Sequence, residues 1–310
     1  MAMKLREVLD EHDVAVDTDN AFQQRARLLQ ALWREARGLP PGARSTGAPL
    51  GSRLPLLLAK EQLSNFFTDN IRHAVRECMA AKQAGSGQLI DEDRLYANLL
   101  SSQPLCFNMF GELQADLGLA TRVCAELWPA RVADVTAVRF EHSPGRGDVA
   151  YTADRSAFDV FIEHTLPSGG TGFVGIEVKY HENLKVGAAE FRPRYEEVAR
   201  QMGCFGEQHL PSLRRPPLEQ IWRDHLLAGA MLASGVWKSG LYVFMYPEGN
   251  VHCSRAATAY AECLTTHESF ETLTLDRFVQ VAEHHVRDAW VTDLRDRYLG
   301  WGKIDSLVAR

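Results

Sequence analysis

Two aspartate- and glutamate-bearing apolar runs, one with a lysine, carry charge where a strand would normally exclude it. Asp159 stands in Ala157-Phe158-Asp159-Val160-Phe161-Ile162. Glu177 and Lys179 stand in Phe173-Val174-Gly175-Ile176-Glu177-Val178-Lys179-Tyr180. Strand alternation puts Phe158, Val160 and Ile162 on one face and Asp159 on the other, with Ala157 and Phe161. In the second run Ile176 and Val178 share a face, and Glu177 and Lys179 share the opposite one. The intervening Pro167-Ser168-Gly169-Gly170 has the composition of a hairpin turn. Two adjacent antiparallel strands would therefore bring an Asp, a Glu and a Lys to one side. Two carboxylates form a hard oxygen site suited to Mg²⁺, which takes few protein ligands and keeps its waters; Mn²⁺ would substitute.

An acid-x-Lys triplet means little by itself, since a chain of this composition supplies about one by chance. Its placement is what informs. The chain uses 27 arginines and seven lysines, yet one lysine lies within a run of Phe, Val, Ile and Tyr. Such a charge is seldom buried unless paired or ligated. The competing reading is a sheet with a solvated face across which the three charges pair.

The elements that must position these residues follow from hydrophobic period. Helical spacing marks residues 20–37, and Gly38-Leu39-Pro40-Pro41-Gly42 stops it. Gly, Pro, Ser and Thr then dominate to Ser52, so residues 1–50 read as a basic helical arm and linker and 51–310 as the main domain. Further helices are expected at about 55–83 and 91–127. The period then shortens, predicting strands at 134–140, 157–164, 172–180 and 241–246, with an edge strand at 271–275. Helices are expected at 190–208 and 218–233, and a last one capped by Asp276 runs to about Arg297. The expected fold is α/β: a mixed four- to five-stranded central sheet flanked by helices, with a helical N-terminal extension.

Asp159 followed by Glu177-Val178-Lys179, eighteen residues on, resembles the PD-(D/E)XK nuclease superfamily, the restriction-endonuclease-like fold. The stretches Arg155 to Phe161 and Ile176 to Glu182 look like one bacterial branch of it. Gln220-Ile221-Trp222-Arg223-Asp224-His225-Leu226-Leu227 looks like that branch's downstream helix motif. The proline before the aspartate in the superfamily's name is absent, Phe158 standing there. The resemblance implies that Asp159 and Glu177 ligate Mg²⁺ with the Val178 carbonyl. Lys179 would orient or deprotonate the attacking water and stabilise the transition state. Many members add a glutamate from the helix before the sheet, for which Glu112 is the candidate; Asn108 beside it could brace that helix instead. Arg194, Tyr195 and Gln201 are candidates for contact with the scissile phosphate. Gln220 and Arg223 could support the site, Arg223 because a guanidinium matches phosphate geometry. Arg146, in the loop 141–147, could approach the nucleic acid. His225 shares the apolar face of its helix and reads as a core histidine. The implied activity is DNA phosphodiester hydrolysis, endonucleolytic, in a restriction or anti-phage role. RNA cleavage, structure-specific cleavage and a non-cleaving nucleic-acid-binding scaffold are the alternatives. One site cuts one strand, so duplex cleavage favours a homodimer.

Charge distribution adds to this. The overall charge is −6, but residues 21–76 hold nine Lys/Arg against three acids, leaving +6 there and −12 elsewhere. That stretch is expected to add nucleic-acid affinity without reading sequence. No transmembrane run is present, the opening Met1 to Glu7 lacks an apolar leader, and the six cysteines form no C-x-x-C pair, which together predict a reduced cytoplasmic protein. Paired zinc-ligand spacing, a G-x-x-x-x-G-K-[ST] loop and a G-x-S-x-G elbow are all missing.

Overall fold

Five apolar segments pair into one mixed sheet. A computed structural model describes residues 5–186 and 190–308, so Met1 to Lys4, read above for a leader, lie outside the described residues. The strands are β1 (Asp134–His142), β2 (Phe158–Thr165), β3 (Thr171–Val178), β4 (Ser239–Tyr246) and β5 (Phe270–Thr274), adjacent in that order. β1, β2 and β3 pair antiparallel, and β4 and β5 continue in parallel. The switch follows from the connections. A tight turn at 166–170 suffices between β2 and β3, whereas a parallel neighbour needs a long crossover. The principal helices are α1 (Ala21–Ala36), α2 (Asp69–Gln83), α3 (Ser102–Ala115), α4 (Leu117–Leu127), α5 (Pro193–Met202), α6 (Glu219–Ala233), α7 (Val251–Ala261) and α8 (Leu275–His285). The expected mixed sheet with flanking helices and N-terminal helices is what forms. No described helix is long and apolar enough to cross a membrane.

The sheet separates two cores. Val160, Ile162, Val174, Ile176 and Val243 face a core built with α1 to α4 and α8. Phe161, Phe173, Tyr242 and Phe244 face another built with α5, α6 and α7. Alternation holds along these strands with one correction. Phe158 does not share the face of Val160 and Ile162; its ring lies with Phe161 and Phe173 in the second core. Gly175 on β3 makes this fit, because a Cβ there would meet the Phe158 ring at 2.6 Å.

Other boundaries shift for local reasons. The 55–83 stretch breaks into Leu56–Gln62 and α2, because Leu63 turns left-handed (φ 51) and Thr68 caps the new start. The 190–208 helix shrinks to α5, begun by Pro193 and ended at Gly203 (φ 64). Thr274, not Asp276, caps α8, which stops at His285; Asp276 instead accepts the Glu248 N–H.

Of residues 1–50, expected as arm and linker, α1 packs on the first core through Ala26 and Trp33. Asn20 caps α1 reciprocally with Gln23. The basic residues there are compensated at home: Arg25 by Asp305, Arg27 by Asp19, Arg37 by Asp293. Arg34 is buried on the Gly51 and Leu39 carbonyls. Arg297 is fully buried, donating to Gln30 and to the Asn65 carbonyl, with its guanidinium 4.0 Å from the Trp33 ring centroid. Burial lowers its pKa to about 10. Gln30 in turn donates to the Tyr180 hydroxyl (3.2 Å), and Gln23 donates to the His181 carbonyl (3.1 Å). Helix α1 thus grips the residues that follow Lys179.

Deleting residues 1–50 should therefore unfold or grossly destabilise the chain rather than merely weaken nucleic-acid binding. It removes Trp33 from the first core, a loss of about 3–5 kcal/mol by itself, and takes Gln30 from buried Arg297, leaving it the bonds to Asn65. Circular dichroism melts of the deleted and full chains check this; a cooperative melt within a few degrees of the full chain would show a separable arm.

Candidate active site

The expected convergence of Asp159, Glu177 and Lys179 is set by the backbone. Val160 opposite Ile176 is the last registered β2–β3 pair toward this end, so the strands part just where Asp159 and Glu177 stand. Across the opening the Val178 N–H donates to Asp159 Oδ2 at 2.8 Å. The Lys179 N–H donates to the Met245 carbonyl of β4 at 2.8 Å, which fixes the lysine against the sheet. Lys179 Nζ donates to Glu177 Oε1 at 2.5 Å, and Gln220 Nε2 from α6 donates to the same oxygen at 2.7 Å. All three charged residues line one cavity of about 400 Å³ with Gln220, Arg223 and Asp224 of α6, and Ser102 and Gln103 at the start of α3. The cavity opens at the rim of the sheet, between the two cores.

Burial and the charge of Glu177 hold the Asp159 carboxyl well above the usual carboxylate range, against Lys179 and the Val178 N–H. Burial pulls the Lys179 ammonium down, but Glu177, Glu182 and Asp159 outweigh it and raise its pKa. Asp224 is likewise pushed well up by burial and Glu177, despite Arg223 beside it. Its Oδ2 and the Arg223 Nε are buried without a hydrogen-bond partner among the described residues. Asp154 goes the other way. Burial raises it, but hydrogen bonds from Tyr195 (2.6 Å), Ser156 and Thr152 prevail and hold it low. Four acids of the cleft, buried Asp154, Glu177 and Asp224 with half-buried Asp159, thus face two cations set among them, Lys179 and Arg223, a surplus that a hard cation would relieve. Among the described residues no group of three or more His, Cys, Asp or Glu is arranged to hold a metal. A cation here would take two carboxylates and complete its shell from backbone, water and substrate, the manner of Mg²⁺.

A family model for the PD-(D/E)XK nuclease superfamily matches residues 17–300, nearly the whole chain. The chain belongs to the PD-(D/E)XK nuclease superfamily. No curated protein and no solved structure matches it. Membership brings the restriction-endonuclease-like fold, nuclease chemistry on nucleic acid and, typically, use of a divalent metal.

Within this superfamily member the remaining candidates divide. Gln220 and Arg223 reach the cleft, and so does Arg146, although its guanidinium donates to the Arg155 and Glu141 carbonyls and holds the loop. Glu112 does not reach it. Its carboxylate accepts from Thr68 and Asn70, because the start of α3, three turns away, is the end that faces the cleft. Arg194 is spent on the Tyr151 and Ala150 carbonyls, and Gln201 is exposed and does not line the cleft. Tyr195 braces Asp154. Asn108 is a brace, bonded to Asn65, Phe67 and Tyr298. His225 is a core residue between Tyr260 and Ser269, its pKa lowered to about 3 by burial. Sequence reasoning passed over Asp154, Asp224, Glu141, Ser102 and Gln103. Asp224 carried a weaker signal than Lys179, standing beside Arg223 and His225 between Trp222 and Leu226; Ser102 and Gln103 carried none.

The raised Asp159 pKa has a measurable sign. Ionising a carboxyl whose folded pKa lies above its unfolded one costs stability, and the cost grows as pH rises from the unfolded value through the folded one. Asp159→Asn keeps the acceptor for Val178 and cannot ionise. In EDTA at neutral pH it should melt a few degrees above wild type, since about 1 kcal/mol moves Tm by ~2–4 °C in proteins of this size. The gap should close as pH falls below the ordinary aspartate range of about 4. Fluorimetric melts across pH test it, and a variant less stable than wild type at pH 7 would refute the charge argument.

Proposed function

We propose that the chain is a divalent-metal-dependent DNA endonuclease of the cytoplasm, acting in the restriction or anti-phage setting its family resemblance implies. The observation that carries the reading is the convergence of half-buried Asp159 with buried Glu177 and Lys179 in one cleft with a surplus of carboxylate. Asp159, Glu177 and the Val178 carbonyl would hold the cation, Mg²⁺ with Mn²⁺ as substitute. When bound, the metal supplies charge neutralisation at the scissile phosphate and lowers the pKa of water. Gln220, sharing Glu177 Oε1 with Lys179, fixes the carboxylate's rotamer. Lys179, its ammonium on Glu177 Oε1, would stabilise the charge that develops on the phosphoryl oxygens. Its raised pKa favours that electrostatic part over proton abstraction, because a base must first be neutral. Arg223, set between Asp154 and Asp224, supports the carboxylates from behind. Six free, buried thiols support the cytoplasmic setting. One cleft per chain cuts one strand, so double-strand cleavage calls for a homodimer.

With supercoiled plasmid, the wild-type protein should nick DNA in Mg²⁺ or Mn²⁺ and not in EDTA, with a matched RNA as the competing substrate. Lys179→Ala should lose about a hundredfold or more in rate while keeping metal-dependent DNA binding. Glu177→Ala should lose both, since a single carboxylate offers too few hard oxygens. Nicking by Lys179→Ala at the wild-type rate would remove the lysine from the mechanism. Faster cleavage of the RNA would reassign the substrate.

A further inference from the structure

Most arginines in this protein are committed to carboxylates or carbonyls, including Arg146 and Arg194 beside the cleft. Three at its mouth are not. Arg94, Arg155 and Arg192 all line the cavity of Asp159 and Glu177, and all are exposed. They come from separate segments: the helical turn Asp93–Ala97, the loop before β2, and the residue preceding α5. Among the described residues none of the three guanidinium groups has a hydrogen-bond or ion-pair partner. Arg155 also lines a second, larger cavity of about 800 Å³, which shares Glu141 and Arg146 with the first. That neighbouring cavity lies between the Gly85–Gln88 turn and the end of β1, where Arg139, paired with Glu163, also lines it.

We propose that Arg94, Arg155 and Arg192 are the phosphate-gripping rim of the cleft, and that the DNA backbone leaves the scissile site over Arg155 into the neighbouring cavity. The proposal rests on the nuclease reading above and deepens it by assigning the substrate's path. The physical case is one of complementarity. A floor of buried carboxylate repels a polyanion, so a phosphodiester can be held over it only by cations arranged around the opening. A planar fork of donors left unpaired is the side chain best matched to a phosphate. The carboxylates select the cation, and the rim selects the backbone. Because Arg155 faces both cavities, it is the one rim residue that can follow the strand beyond the cut.

Binding is read by fluorescence anisotropy of labelled duplexes in Ca²⁺, with the Lys179→Ala chain as the non-cleaving parent, at several salt concentrations. Each of Arg94→Ala, Arg155→Ala and Arg192→Ala should weaken binding several-fold and lower the slope of log K against log salt by about one. Mg²⁺ affinity by calorimetry and the melting temperature should stay at the parent's values. Arg76→Ala and Arg287→Ala, at exposed arginines away from the cleft with no ion pair or hydrogen bond from the guanidinium among the described residues, should leave affinity and slope unchanged. Duplexes lengthened on one side of the cut should bind the parent more tightly, and Arg155→Ala alone should abolish that gain. Rim variants that keep the parent's slope overturn the proposal, and a length gain that survives Arg155→Ala overturns the path. Failure of the nuclease reading looks different: the wild-type chain would then cut neither DNA nor RNA in any metal, whatever the rim variants bind.

Discussion

Charge buried at the end of a β-strand must be compensated within a few ångströms, and the architecture around the cleft follows from that demand. Leaving water costs a carboxylate several kcal/mol unless partners replace the lost solvation. Glu177 meets the demand with Lys179 and Gln220 on one oxygen, and Asp154 meets it with Tyr195, Ser156 and Thr152. Asp159 has one backbone N–H, and Asp224 retains an oxygen with none. The deficit is tolerable only because both sheet faces are closed by large apolar cores that keep the strand ends in place. A site of this kind stores unfavourable electrostatics for its ligand, and the surrounding packing sustains it.

The arginines show the same economy from the opposite sign. Arg34 and Arg297 are structural, buried on carbonyls and over aromatic rings, and serve to close the N-terminal helix on the body. Arg25, Arg27 and Arg37 neutralise acids brought from both near and far in the chain. What reads as a basic arm in sequence is therefore spent on holding the fold. Among the cations left for a polyanion are those at the mouth of the cleft.

Much of the fold and the centre of the site were legible because they depend on short-range pattern. Alternation in β2 and β3 and the Gly-rich turn between them put Asp159 beside Glu177 without any tertiary knowledge. The side of Phe158 was not legible, because it depends on Gly175 across the ladder leaving room for a ring. Glu112 was misplaced since periodicity finds a helix but not which end of it meets the cleft. The partners of an arginine were equally hidden: Asp293 and Asp305, which take up Arg37 and Arg25, lie more than 250 residues away. Thr274 displaced Asp276 as a cap through a shift of two residues, which local composition does not resolve.

The knot of Gln30, Asn65 and Arg297 also imposes an order in time. A ribosome delivers residue 30 long before residue 297, so α1 lacks its buried guanidinium during most of synthesis. Until then the Tyr180 hydroxyl is without the Tyr298 carbonyl to which it donates, one of the bonds that hold the segment following β3 and Lys179. A nascent or prematurely ended chain would carry every acidic residue of the cleft and still lack that bond. For an enzyme that cuts nucleic acid, this delays competence until the polypeptide is almost entirely made.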